Sequence, residues 1–138
     1  MKFDINEEEK QWLDKTWEKI QKKIRSECER NGDIFPYISE NGRYHDKMAD
    51  NPYWWTNGFW PGILWLMYEA TGEEDYLTVS RHLEAKLDKS LEGFEGLHHD
   101  VGFMWQLSAV ADYRLTGNPR SRIRGLHAAT LLAGRFNP

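Results

Sequence analysis

The sequence predicts an all-α protein, a double-layered helical toroid or solenoid assembled from helical hairpins. Three observations predict it. Apolar residues recur at three- and four-residue steps in five separate stretches of the 138-residue chain, the spacing that lines one face of an α-helix. Stretches that are mostly apolar alternate with amphipathic ones. The mostly apolar stretches also repeat: Gly58-Phe59 recurs as Gly102-Phe103 after 44 residues, while Tyr68 and Thr71-Gly72 recur as Tyr113 and Thr116-Gly117 after 45. A repeat of this length holding two helices is a hairpin unit, and stacked hairpins put apolar helices inside and amphipathic ones outside. No alternating strand pattern competes.

The first helix is expected over residues 7–30, where Leu13, Trp17, Ile20, Ile24 and Cys28 form one stripe among charged residues. Asn31-Gly32 ends it, since both residues tolerate left-handed backbone. Residues 33–53 read as irregular, broken by Pro36, Gly42 and Pro52. A second helix runs from about Gly58 to Ala70. Pro61 suits its first turn, where a missing N–H costs little. The run Ile63 to Tyr68 is apolar all round, which predicts burial on every side. Thr71-Gly72 stops it. The third helix, about Glu74 to Lys89, is amphipathic, with Tyr76, Val79, Leu83 and Leu87 on one stripe. The fourth, about Val101 to Leu115, is apolar again and stops at Thr116-Gly117. Asn118 then caps a fifth helix with Pro119 at its first position, running to about Gly134 before Asn137-Pro138. Five helices make fewer than three hairpins, too few to close a ring. The chain is therefore expected to be part of a larger domain, with apolar surface on its open inner layer.

Composition narrows the function. The formal net charge is −4, which argues against nucleic acid, because phosphate binding needs a surplus of Lys and Arg on one face. The run Arg120-Ser121-Arg122-Ile123-Arg124 reads as a solvated helix face. Cys28 is the one cysteine, so no intrachain disulfide forms. Residues 1–9 are acidic and lack an apolar leader core, and the longest apolar run, Ile63 to Tyr68, is too short to span a bilayer. A soluble cytoplasmic protein without a membrane partner is the expectation; the sequence leaves the oligomeric state open.

Two segments carry chemistry. Leu97-His98-His99-Asp100-Val101-Gly102-Phe103 sets two imidazoles and a carboxylate at the mouth of the fourth helix. One repeat earlier, Trp54-Trp55-Thr56-Asn57-Gly58-Phe59-Trp60 opens the second helix with aromatic rings. Asp100 could transfer a proton, cap the helix, or ligate a metal with His98 and His99. Adjacent side chains are expected to point apart and no further ligands stand at the usual spacing, so no metal is predicted. Trp55 and Phe59 are four residues apart, a step that places both on one side of a helix, as core or as a wall for a sugar ring. Trp54, Trp60, Trp65 and Trp105 are assigned to packing. His45, His82 and His127 need no function.

Trp55-Thr56-Asn57-Gly58-Phe59-Trp60-Pro61-Gly62-Ile63-Leu64-Trp65-Leu66 resembles the first signature of the unsaturated glucuronyl hydrolases, glycoside hydrolase family 88. His98-His99-Asp100-Val101-Gly102-Phe103 resembles the second, and Arg135-Phe136-Asn137-Pro138 resembles the end of the family's following helix. The resemblance implies an (α/α)6 toroid of which residues 1–138 are an N-terminal portion of the single domain. It implies release of 4,5-unsaturated uronic acid from lyase-generated oligosaccharides, the substrate partner, by hydration of a C4=C5 enol ether, with no cofactor. It gives Asp100 the role of a carboxylate that supports the acid/base, Trp55 and Phe59 that of aromatic contacts with the sugar, and His99 that of a hydrogen-bonding neighbour. The acid/base itself is a second aspartate in a later segment, absent here, so the chain alone is expected to be poorly active. The related family 105, acting on rhamnogalacturonan fragments, and a non-catalytic helical-repeat binding module are the alternatives.

Overall fold

The computed structural model describes residues 5–135. Residues 1–4 and 136–138 fall outside it, and with them the start of the acidic N-terminal stretch, the expected end at Asn137-Pro138 and all but Arg135 of the last motif. The chain divides into two units, Met1–Arg30 and Asn31–Pro138.

The first unit holds all but the last residue of helix α1, Glu7–Asn31. Asn6 opens it with a reciprocal pair: its Oδ1 accepts the Glu9 N–H at 2.9 Å, and Glu9 Oε2 accepts the Asn6 N–H at 2.9 Å. Two of the four N–H groups that a helix start leaves unsatisfied are thereby bonded.

The second unit begins with a stretch more ordered than its composition predicts. Ser39–Glu40 (β1) pairs antiparallel with Arg43–Tyr44 (β2). Asn41 and Gly42 turn between them with φ of 50° and 76°, the left-handed pair that a two-residue hairpin requires. Asp46 caps the short helix α2, Lys47–Asp50: its Oδ1 accepts from the Met48 N–H at 3.1 Å and the Phe35 N–H at 3.0 Å.

All five expected helices are present. A 3-10 turn, Trp55–Gly58, leads into α3, Phe59–Thr71, which Gly72 ends at φ 72°. α4 spans Glu74–Lys86 and is followed after Leu87 by α5, Asp88–Gly93, where one longer helix was expected. The fourth helix is broken. It opens as a 3-10 turn, His99–Val101, continues as α6, Gly102–Gln106, and resumes as α7, Ala109–Thr116. The break falls at Ser108, which is fully buried at φ −112° and ψ −87°; its hydroxyl donates to the Met104 carbonyl at 2.5 Å. A buried serine that bonds the preceding turn offers the backbone an alternative to its own ladder. α8, Pro119–Ala133, starts on Asn118, whose side chain accepts from the Arg120 N–H at 3.1 Å. No helix among the described residues is long and apolar enough to cross a membrane.

α3 packs on α4 and α7 on α8, the two hairpins, while α3 also meets α7. Leu64, Trp65, Leu83, Leu87, Val101, Met104, Trp105 and Ala109 fill the space between them, each at most 2% exposed. α3 is not buried on every side. Ile63 and Leu66 are 40% and 64% exposed and line an open groove of about 800 Å³ with Phe59, Leu107, Ala111 and Leu115. A helix that is apolar all round needs neighbours all round, and two hairpins cover only part of it.

The arginine run is likewise only half solvated. Ser121 is fully buried and the Arg124 side chain is 17% exposed. Arg124 donates to both oxygens of Asp88 and, at 2.8 Å, to Glu84. Beside them Asp112, fully buried on α7, accepts two bonds of 3.0 Å from Arg81, one of 2.7 Å from Asn118 and one of 2.6 Å from Thr116. Burial raises the Asp112 carboxyl, but the bonds from Arg81, Thr116, Asn118 and Ser121 outweigh it and hold the group below its ordinary range. At Glu84 burial prevails over Ser121 and Arg124, and the carboxyl is pushed up.

Candidate active site

The mouths of the two apolar helices lie against each other because a glycine lets them. A methyl group on Gly58 would stand 2.6 Å from the Met104 Cα and 2.7 Å from the Phe103 carbonyl oxygen. Only a residue without a side chain lets the Trp55–Gly58 turn meet the α6 backbone so closely. Gly62, one turn on, would bring a methyl to 3.1 Å from Leu107 Cβ.

This approach assembles three rings. Trp55 meets Phe59 edge-on, with centroids 5.2 Å apart and planes at 87°. On its other side Trp55 meets Phe103 at 5.8 Å and 52°. Phe59 and Phe103 remain 40% and 49% exposed. These rings are not core. Among the other tryptophans, Trp60, Trp65 and Trp105 are buried, as expected, while Trp54 pairs edge-on with Tyr37 at 5.4 Å and lies 5.3 Å from the Lys47 ammonium.

Phe103 is the site residue that reading the segments one at a time misses. Its signal was the repeat: Phe103 holds the place in the second hairpin that Phe59 holds in the first.

Asp100 stands three residues before Phe103, in the 3-10 turn that opens α6. It does not cap. The cap is His98, whose Nδ1 accepts the Asp100 N–H at 3.4 Å. The Asp100 carboxylate is left 41% exposed, with His99 Nε2 3.3 Å from Oδ1 and His98 Nδ1 3.9 Å from Oδ2. His99 itself is 88% exposed. Adjacent side chains do converge here, contrary to expectation: one ligand atom from each of His98, His99 and Asp100 lies within 4.8 Å of the others. Among the described residues no fourth His, Cys, Asp or Glu joins them. A carboxylate that spends no lone pair on a helix end, with two imidazoles beside it, can accept hydrogen bonds from hydroxyls. Rings exposed on one face can pack on the C–H face of a pyranose. Neither Trp55 nor Asp100 lines the apolar groove along α3 and α7.

No family model matches the chain. Curated relatives do. Unsaturated glucuronyl hydrolase of Bacillus sp. (strain GL1) is 41% identical over 106 residues, 76% of this chain and 28% of that protein. Unsaturated chondroitin disaccharide hydrolase of Streptococcus pyogenes serotype M1 is 37% identical over 83 residues, 59% of this chain and 21% of that protein. Among solved structures, the glycosaminoglycan-degrading unsaturated glucuronyl hydrolase from Bacillus sp. GL1 superposes with a TM-score of 0.70 at 38% identity, over 81% of this chain and 29% of that one. The chain is a partial relative of unsaturated glucuronyl hydrolase. It spans under a third of the length of the relatives it matches. A second unsaturated glucuronyl hydrolase structure, an aspartate-to-asparagine variant with dGlcA-Glc-Rha-Glc, superposes with a TM-score of 0.71 at 37% identity, over 82% of this chain and 30% of that one. The all-α fold is thus part of the (α/α)6 toroid of the unsaturated glucuronyl hydrolases.

Proposed function

We propose that the chain supplies one wall and one carboxylate of the sugar site of a family 88 glycoside hydrolase. The enzyme releases 4,5-unsaturated uronic acid from lyase-generated oligosaccharides. The observation that carries the reading is the three-ring wall of Phe59, Trp55 and Phe103, with Asp100 three residues before Phe103 and its carboxylate not spent on capping. The relatives' names and the sugar in the related structure point the same way.

The reaction starts with a proton delivered to C4 of the enol ether and water added at C5. The resulting hemiketal rearranges with loss of the aglycone. It calls for a carboxyl that gives and takes a proton and a second polar group that holds the ring. Asp100 is the second: it accepts bonds from uronate hydroxyls, and His99 donates to a hydroxyl or to the uronate carboxylate. Trp55, Phe59 and Phe103 orient the ring by its apolar face. The proton-transferring carboxylate lies in a segment outside this chain.

The test is the loss of absorbance of the enol ether when lyase-generated unsaturated disaccharide is added. A form extended to the length of the relatives is expected to turn over and residues 1–138 alone hardly at all. Rapid turnover by residues 1–138 would show that the site is complete without a second carboxylate. An undiminished rate for Asp100→Asn in the extended form would remove Asp100 from the reaction.

A further inference from the structure

The Trp55 turn and the Asp100 turn lie in different hairpins, and one side chain from just before the first packs on the segment that leads to the second. Tyr53 stands two residues before Trp55. Its ring lies on the loop that leads to His98. A methyl on Gly96 would stand 2.1 Å from Tyr53 Cδ2 and 2.3 Å from Cγ, and one on Gly93 would stand 2.1 Å from its hydroxyl oxygen. The last residue of α5 and a glycine of the loop after it thus make room for one aromatic ring.

Both sides of this contact are fixed. The Tyr53 N–H donates to Asn51 Oδ1 at 2.9 Å, and the Ser90 hydroxyl donates to the Pro52 carbonyl at 2.6 Å. Between the two glycines, Phe94 holds φ 52° and ψ −46°, close to the rare and strained γ-turn geometry. The Phe94 carbonyl accepts from Arg135 Nη1 at 3.0 Å, and the Arg135 guanidinium stands 5.0 Å over the Phe94 ring. Leu97, next after Gly96, is 1% exposed and its N–H donates to the Phe94 carbonyl at 3.1 Å.

We infer that Tyr53 is a positioning residue of the site: by resting on Gly93 and Gly96 it sets where the Asp100 turn stands relative to the Trp55 wall. Its role toward sugar rests on the function proposed above; its coupling of the two turns does not. Tyr53 touches no reacting atom. It acts through Trp55 on one side and through Leu97 and His98 on the other.

The experiment uses the 138-residue chain and three variants. Tyr53→Leu removes the ring. Gly96→Ala keeps the ring and pushes it aside, and carries the same test should Tyr53→Leu not fold. Tyr53→Phe keeps the ring in place and is expected to rescue. In amide spectra, Tyr53→Leu and Gly96→Ala are expected to shift the signals of both Trp55 and Asp100, and Tyr53→Phe to leave the Asp100 signal in place. Titrated with an unsaturated uronyl disaccharide, the first two are expected to bind about tenfold more weakly, about the loss of one aromatic contact, and Tyr53→Phe as the parent does. An Asp100 signal that stays fixed in Tyr53→Leu and in Gly96→Ala overturns the coupling. Parent-like sugar binding by either variant overturns the positioning role. A flat titration for the parent and for a form extended to the length of the relatives overturns the sugar reading, and the amide spectra still decide the coupling.

Discussion

Trp55 touches Phe103 with ring centroids 5.8 Å apart, although the two residues open helices of successive hairpins. The aromatic wall is therefore shared between repeats and exists only once the hairpins have docked. Trp55 sits in the middle and the exposed rings of Phe59 and Phe103 flank it. Phe103→Ala is accordingly expected to weaken binding of an unsaturated uronyl disaccharide as Phe59→Ala does. An aromatic contact of this kind contributes about 0.5–1.5 kcal/mol, a loss of about two- to tenfold in affinity by calorimetry. Unchanged affinity in Phe103→Ala would confine the wall to the first hairpin.

Gly58 is the point at which that docking can be broken. The atoms a Cβ would strike are the Met104 Cα and the Phe103 carbonyl oxygen. Both belong to backbone, which cannot swing aside as a side-chain tip does. Gly58→Ala is expected to cost about 2–3 kcal/mol, the upper range for an overpacked site, read as a lower melting temperature. Gly42→Ala is the control. Its Cβ would meet nothing within 4 Å, and only its φ of 76° opposes the change, so about 1 kcal/mol is expected. Equal losses for the two would show that the hairpins do not depend on this approach.

Asp100→Asn separates stability from function. The carboxylate accepts no backbone N–H at the start of α6; the capping bond there goes to His98. Its removal is expected to change unfolding free energy by less than about 0.5 kcal/mol, as for a surface substitution. A loss of about 1 kcal/mol, the ordinary value of an N-cap, would show that the carboxylate caps the helix after all.

What could be read in the sequence is what local chemistry decides. Asn118-Pro119 opens α8, and Gly72 and Gly117 end α3 and α7 at φ 72° and 74°, because caps and left-handed glycines act within one helical turn. The repeat placed Trp55, Phe59 and Asp100 at helix mouths. What escaped depends on distant partners. The break at Ser108 follows from its burial, and a serine in an apolar stretch does not announce that. Asp112 reads as one polar residue on an apolar helix, yet it organises partners from α4, α7 and α8. The same distance effect turned Ser121 and Arg124 inward from a run that reads as solvated. Tyr53 reads as one more aromatic in an irregular stretch, since the two glycines it rests on stand about 40 residues later.

The buried carboxyls of that network predict a stability profile with two limbs. Ser121 Oγ lies 2.7 Å from Glu84 Oε1 and 2.8 Å from Asp112 Oδ2. One hydroxyl carries one proton, so two ionised carboxylates cannot both be satisfied there. The directions of the shifts resolve the conflict: Glu84 is pushed up by burial, and Asp112 is held down by its donors against burial. Glu84 therefore stabilises the fold fully below its unfolded value of about 4.3, and that contribution is lost as pH rises through its higher folded value. Asp112 has the opposite sign. Its contribution is present above about 3.9 and is lost as pH falls through its lower folded value. The Glu84 contribution to the melting temperature of the parent is expected to decline as pH rises above about 4.3, and Glu84→Gln, neutral throughout, is expected to flatten that decline. Asp112→Asn is expected to cost about 2–3 kcal/mol at neutral pH, below the full penalty for an orphaned buried charge, because Arg81 is 38% exposed and can reach water. Parallel melting curves for Glu84→Gln and the parent across this range would show that Glu84 is ionised in the fold.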